Sequence, residues 1–332
     1  MSDAYARAGV SQAAAESAVE ALLRSLRRID TGKPPRAVPL ADHYASVLRI
    51  DERTGLALST DTVGTKMVVA ERLGRYDTIG IDCVAMNAND VICVGAEPIA
   101  MLDYILAARA EASVCEQIGI GLARGAELAG VEIPGGELAQ VGEIVSGLEL
   151  GGTCAGLVEL DAIVTGAAIE PGDPVIGLPS SGLHSNGYTL ARRALEGVAL
   201  TDKRLGRPLG ELLLEPTEIY VRAVIEALRS PVEVRGLAHI TGGGLHNLLR
   251  LGAAVGYEID DPLPLPAIFD LIQECGRVSA EDMHAVFNMG CGFCVIVSAG
   301  DEEAALELLR AHYPGAKRIG RATDRGGQLL RV

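Results

Sequence analysis

Short apolar runs with strand-like composition alternate with segments of helical period along nearly the whole chain, and glycine- or proline-rich turns separate them. No other feature narrows the fold as much, because interleaved strands and helices pack as mixed sheets covered by helices. Residues 12–28 carry Val19, Leu22, Leu23 and Leu26 on one stripe, which predicts an amphipathic helix. Leu56–Ser59 reads as a strand, residues 77–94 as a helix ended by Gly95 and Pro98, Ile99–Ala107 as a strand, and Ala112–Gly130 as a helix. "IPGGELAQVGE" then reads as a turn before a strand near Gly152–Glu159. Gly119-x-Gly121 with Gly125 lies inside a helix, so it reads as helix packing rather than a dinucleotide fingerprint.

The cluster Glu170-Pro171-Gly172-Asp173 marks a break between a domain over residues 1–169 and another over 170–332. Beyond it come a strand at Pro174–Leu178, helices near 186–196, 215–229, 266–275 and 301–312, and strands near 237–241, 292–298 and 316–320. Ser279-x-x-Asp282 resembles a capping box that opens a further helix. The expectation is an α/β (α+β) protein of two domains, which 332 residues can support.

A net charge of −15 offers no basic field to nucleic acid or to an anionic membrane, and aromatics at 3% leave little for base stacking. It is compatible with phosphorylated small molecules if a divalent metal bridges carboxylate to phosphate. The seven scattered cysteines suit free thiols, and Cys291-x-x-Cys294 in an apolar run reads as two core residues of a strand. The first ten residues lack the apolar run of an export signal, so a cytoplasmic protein is expected.

Five polar, glycine-rich segments carry the candidate chemistry: Ser59–Lys66, Asn87–Asp90, Gly135–Glu137, Ser180–Gly187 and His239–Gly244. Asp61, Asp90 and Glu137 form a hard-oxygen set suited to Mg²⁺, with Lys66 as a point charge for phosphate. His184 precedes a helix start, where it can bind phosphate or move a proton. Three consecutive glycines, Gly242–Gly244, between a strand and a helix suit a backbone that closely approaches a ligand. On the predicted helix 77–94, Asp82, Met86, Asn89 and Asp90 share a face, and buried polar groups there need partners. Together these segments indicate an enzyme that handles phosphorylated compounds.

"STDTVGTKM", "YDTIGIDCVAMNANDVICVGAEPIAMLDYI", "SSGLHSNGYTLAR", "EPTEIYV", "GLAHITGGG" and "FNMGCGF" occur in the order found in phosphoribosylformylglycinamidine cyclo-ligases, also called aminoimidazole ribonucleotide synthetases. From "YARAGV" to the last strand the chain resembles that family, most of all its archaeal variety. The resemblance implies ATP-dependent closure of formylglycinamidine ribonucleotide to aminoimidazole ribonucleotide, with Mg²⁺ and K⁺ as cofactors. It further implies a homodimer in which the N-terminal sheets close into a barrel. By similarity, Asp61, Gly64, Thr65, Lys66, Asn89, Asp90, Gly135, Gly136 and Glu137 serve ATP and metal. Ser185, Asn186, Thr241, Gly242, Gly243, Gly244 and Asn288 serve the second substrate, and Lys66 and His184 the chemistry.

Three stretches depart from the family pattern. "RAVPLADHYASVLRI" replaces a glycine-rich loop, which makes His43 a candidate cover for the nucleotide. "GGELAQVGE" has Leu138 where the family has threonine, and Ser11-Gln12 stands where it has Asp-Ile. Competing readings are another ATP-dependent member of the same superfamily, such as a thiamine-monophosphate kinase, and a non-catalytic nucleotide-binding paralogue.

Overall fold

A computed structural model describes residues 12–40 and 42–331; the "YARAGV" motif and Ser11 lie outside them. Strands β1 (Ser46–Arg49), β2 (Thr54–Thr62), β3 (Glu97–Ala107), β4 (Glu132–Gln140) and β5 (Leu148–Glu159) form the first sheet, in the order β1-β2-β5-β3-β4. All its pairs are antiparallel except β3 with β4. The period of two along β2 is plain: Gly55, Ala57 and Ser59 turn to the buried face, and Leu56, Leu58 and Thr60 to the other.

Among the described residues four helices belong to this half: α1 (Gln12–Leu26), α2 (Met67–Leu73), α3 (Ile79–Ile92) and α4 (Ala112–Ala129). Helix α3 is almost entirely buried between the sheet and α4. Two of the three glycines foreseen as packing residues do that: a Cβ on Gly121 would lie 2.7 Å from the Asp77 carbonyl oxygen and one on Gly125 2.9 Å from Val84 Cβ, whereas Gly119 has open space around it. The opposite face of the sheet is open and apolar, with Leu102, Tyr104 and Leu157 each more than 40% exposed.

Two expectations are corrected here. "IPGGELAQ" is no turn but strand β4, because its backbone completes a parallel ladder along β3 from Ala100 to Ala107. The predicted stripe Val19, Leu22, Leu23 and Leu26 is on a helix, yet all four side chains are exposed rather than packed on the core.

The second sheet takes β6 (Pro174–Pro179), β7 (Val234–His239), β8 (Gly256–Ile259), β9 (Cys291–Val297), β10 (Lys317–Thr323) and β11 (Leu329–Arg331), in the order β11-β8-β10-β6-β9-β7. Every residue of β9 is buried, as a continuous apolar run in a central strand requires, and Cys291 and Cys294 are core thiols. Around this sheet lie α5 (Tyr188–Ala194), α6 (Leu209–Leu213), α7 (Val221–Arg229), α8 (Ala267–Gly276), α9 (Ala280–Val286) and α10 (Glu302–His312). The Ser279 hydroxyl accepts the Asp282 N–H at 3.0 Å, so the capping signal marks a real helix start. The helix expected over 215–229 begins only at Val221; Pro216 and side-chain bonds to the preceding backbone keep Glu215–Tyr220 out of it. The short strands β1, β8 and β11 and helix α6 are too brief to show a period, and none was foreseen. Among the described residues, no helix is long and apolar enough to cross a membrane.

Candidate active site

The sequence puts Lys66 two residues past Gly64, in a 3₁₀ turn that leads into α2. Its side chain is fully buried, and its ammonium meets three acceptors: Asp82 Oδ1 at 2.9 Å, the His184 carbonyl at 3.1 Å and the Glu215 carbonyl at 2.6 Å. An ammonium has three N–H donors, so none remains for phosphate. Burial pulls the Lys66 pKa down while Asp82 opposes that pull. Asp82 also accepts the backbone N–H and the hydroxyl of Thr217. Lys66 is therefore corrected from a phosphate ligand to a buried tie between the two halves. Asn89 is corrected likewise: its amide donates to the Glu218 carbonyl and accepts the Tyr220 N–H, which uses the side chain in the same seam. Asn87–Asp90, read as a polar turn, is helical and part of α3.

One helical position beyond Asn89, Asp90 reaches a different environment. Its Oδ1 lies 2.9 Å from His239 Nδ1, and its Oδ2 accepts the Ser59 hydroxyl at 3.4 Å. Asp61, near the end of β2, accepts the N–H of Thr62 at 2.7 Å. Burial, with Asp90 and Glu149 adding negative charge, lifts the Asp61 carboxyl above the ordinary aspartate range against the pull of Thr62 and His239. Glu149 in turn accepts the Gly64 N–H at 2.8 Å and so fixes the loop that follows Asp61.

Two neutral imidazoles flank this centre. His43 Nδ1 accepts the Tyr44 N–H, so Nε2 carries the proton; that atom is buried with no protein partner. Burial, with Arg250 alongside, pushes the His43 pKa down to about 4, although Asp90 raises it. His184 Nε2 accepts the Ser181 N–H at 3.3 Å, which leaves Nδ1–H buried and unpartnered. Burial, with the nearby His239 and Lys66 charges, pushes its pKa well below the usual value. Asn87 adds a buried, unpartnered Oδ1. Native interiors rarely leave such groups unmet, and a cluster of them beside two carboxylates marks a place for a polar ligand.

The loops after β6 and β7 face each other. Asn186 Oδ1 stands 3.4 Å from where a Cβ on Gly242 would be. Gly243 and Gly244 both have positive φ, and at Gly244 a Cβ would lie 2.4 Å from the His284 carbonyl oxygen. Gly244 thus serves packing, whereas Gly242 keeps its backbone open. The Thr241 N–H is held by Asn247, and the Thr65 and Thr189 hydroxyls meet at 3.1 Å. Two expected substrate contacts are corrected. Ser185 is buried against Thr217, and Asn288 spends its amide on Ser180, Gly182 and Gly290. Both hold loops in place.

Glu137 does not join Asp61 and Asp90. Pairing runs Thr62–Gly151–Tyr104–Glu137 in one row and Asp61–Gly152–Asp103–Gly136 in the next, so Glu137 lies three strands away on the opposite face. Among the described residues no group of three or more His, Cys, Asp or Glu side chains is placed to hold a metal. Two carboxylates with hard oxygens, Asp61 held up in pKa first by burial and then by the Asp90 charge, do fit Mg²⁺, which keeps positions for water and phosphate. In the row of Asp61 stands Asp103, which sequence reasoning passed over; its one signal was a lone carboxylate in "MLDYILA". Gly135 has open space around it, but a Cβ on Gly136 would lie 2.2 Å from Asp103 Oδ1, so the second glycine of "GGE" makes room for that carboxylate. Glu149 was also missed as a site residue, and His239 was expected only as the first residue of the segment His239–Gly244, with no role of its own.

A mixed α/β fold of two sheets, with a carboxylate–histidine centre in the cleft between them, defines the class. The AIR synthase related protein family matches in both of its parts, the N-terminal domain over residues 42–158 and the C-terminal domain over 170–332, and the chain belongs to this family. Phosphoribosylformylglycinamidine cyclo-ligase of Pyrococcus furiosus is 46% identical over 329 residues, 98% of this chain and 97% of that one. The enzyme of the same name from Methanothermobacter thermautotrophicus is also 46% identical, over 98% and 96% of the two chains. Among solved structures, thiamine monophosphate kinase from Aquifex aeolicus aligns with a TM-score of 0.63 at 18% identity, covering 95% of this chain and 96% of that one. Hydrogenase maturation protein HypE in complex with ATP aligns with a TM-score of 0.63 at 20% identity, covering 86% and 83%. At those identities the likeness concerns the fold alone.

Proposed function

We propose that the chain closes the imidazole ring of aminoimidazole ribonucleotide, using ATP to phosphorylate the formyl oxygen of formylglycinamidine ribonucleotide. The substrate's amidine nitrogen then attacks that carbon, and phosphate leaves; ADP and phosphate are the co-products. Because the closure is intramolecular, the protein's work is to orient the reactants, stabilise charge and exclude water. The carrying observation is the pair of buried neutral imidazole donors, His43 Nε2–H and His184 Nδ1–H, beside the Asp90–His239 pair. Neutral donors can hydrogen-bond oxyanions in the cleft without taking up a proton at neutral pH. His184 is the residue of the predicted catalytic pair that stays available; Lys66 positions it by holding its carbonyl.

Asp61 and Asp90 are the residues to hold Mg²⁺, which when bound neutralises charge on the nucleotide phosphates. Gly64, Thr65 and Gly242 keep backbone and hydroxyl groups at the same cleft, and Asn186 faces it from the α5 side. The test is ADP release with formylglycinamidine ribonucleotide as sole acceptor, in Mg²⁺ and K⁺. Substrate-dependent ADP is expected, and its absence would sink the reading in favour of a non-catalytic relative.

A homodimer closed through the N-terminal sheets is part of the same proposal. The open face bearing Leu102, Tyr104 and Leu157 supports it, since an apolar patch on a sheet needs cover. Sedimentation should return about twice the chain mass of 34.6 kDa; a monomer at micromolar concentration would contradict it.

A further inference from the structure

Helices α2 and α5 come together beside the Thr65–Thr189 contact and enclose an open pocket of about 310 Å³. Its lining is Arg72 from the last turn of α2, Thr189, Arg192 and Arg193 from α5, and Glu196 just beyond. Many arginines of this acidic chain find a carboxylate: Arg204, Arg207, Arg229, Arg235 and Arg321 all do. Arg72, Arg192 and Arg193 do not. None of the three guanidinium groups forms a hydrogen bond or ion pair with another described residue, and the Glu196 carboxylate at the rim pairs with none of them. The Nε of Arg192 is buried without an acceptor. Burial lowers the Arg192 pKa, and Arg72 lowers it further by like-charge repulsion.

We infer that this three-arginine pocket is a binding site for a phosphate group, beside the reacting centre and separate from its carboxylates. The guanidinium fork matches phosphate oxygens in pairs, and converging arginines that repel each other are relieved by a dianion. The Thr189 hydroxyl is a further donor at the pocket wall. Its bond to Thr65, the residue after Gly64, places the pocket next to the loop that follows Asp61. The group can come from two sources, the 5′-phosphate of the ribonucleotide substrate or free orthophosphate released by the reaction. The first source rests on the proposed function, whereas the site itself does not.

The experiment titrates inorganic phosphate into the protein at constant ionic strength in chloride, with the nucleotide site filled by ADP, and reads affinity by calorimetry. Wild type should bind phosphate, and the double variant Arg72→Gln/Arg192→Gln should bind at least about tenfold more weakly. If that variant fails to fold, the exposed Arg193→Gln makes the same comparison, with a loss of about threefold or more. Equal affinity in wild type and the folded variant, or no phosphate binding by wild type, overturns the proposal. Steady-state kinetics of the same variant separates the sources. A raised KM for the ribonucleotide with KM for ATP unchanged identifies the substrate's phosphate. An unchanged KM with inhibition by added phosphate lost identifies the free ion. If neither moves, both sources are overturned, while the calorimetric comparison stands as the test of the pocket itself. A wild type without ring-closing activity defeats the cyclo-ligase reading alone, because the calorimetric comparison still decides the pocket.

Discussion

Lys66→Met is expected to lower the free energy of unfolding by about 3–5 kcal/mol, the usual cost of removing one partner from a buried ion pair. The carboxylate left behind, Asp82, is as inaccessible as the lysine; Thr217 alone still donates to its Oδ1, and its Oδ2 is buried without a partner. The His184 and Glu215 carbonyls lose their donor in the same step, which adds unmet acceptors at the seam between the halves. Urea unfolding of the variant at neutral pH measures the loss. If Lys66 were a phosphate ligand, stability would hold and only the KM for ATP would rise. That outcome would overturn the tie described above.

Asp61→Asn has the opposite profile. It is expected to lower kcat by about 10²–10³-fold, the scale seen when one preorganised charge-stabilising group is removed from an active site. Stability should not fall with it. Burial and Asp90 raise the folded pKa of Asp61 above its unfolded value. Between those two values the folded state binds more protons, so this group's contribution to stability declines as pH rises through the window. Above it, ionised Asp61 is a net cost, which asparagine removes. Measuring kcat and the urea midpoint on one preparation tests both halves, and retained turnover would remove Asp61 from the reacting centre.

These two residues show what could be read from the sequence and what could not. All six regular segments expected before Pro174 are present as helices or strands, since their periods and breakers are local properties of the chain. "GGELAQ" was misread because two glycines favour a turn locally, while a parallel partner strand and the Asp103 carboxylate decide otherwise. The polar stripe on α3 was legible as a face that needs partners. The division of that face was not: Asp82 and Asn89 go to the seam, and Asp90 to the histidine. That division depends on segments 120 or more residues away in the chain. Glu137 failed for a related reason, because spacing in sequence carries no information on which face of which strand a side chain occupies. His43 and His184 were picked out by motif, but their unmet N–H groups exist only once Tyr44 and Ser181 occupy the other ring nitrogens.

The seam at Lys66, Asp82 and Asn89 also bears on how such a molecule can be recombined. Apart from the Thr217 hydroxyl and the His239 ring, the second half answers these side chains with its main chain: the carbonyls of His184, Glu215 and Glu218 and the N–H groups of Thr217 and Tyr220. The code for joining the halves is thus written almost wholly in one of them. A chimera that keeps those three residues can take a foreign C-terminal half whose backbone follows the same path and which retains a threonine and a histidine at the positions of Thr217 and His239.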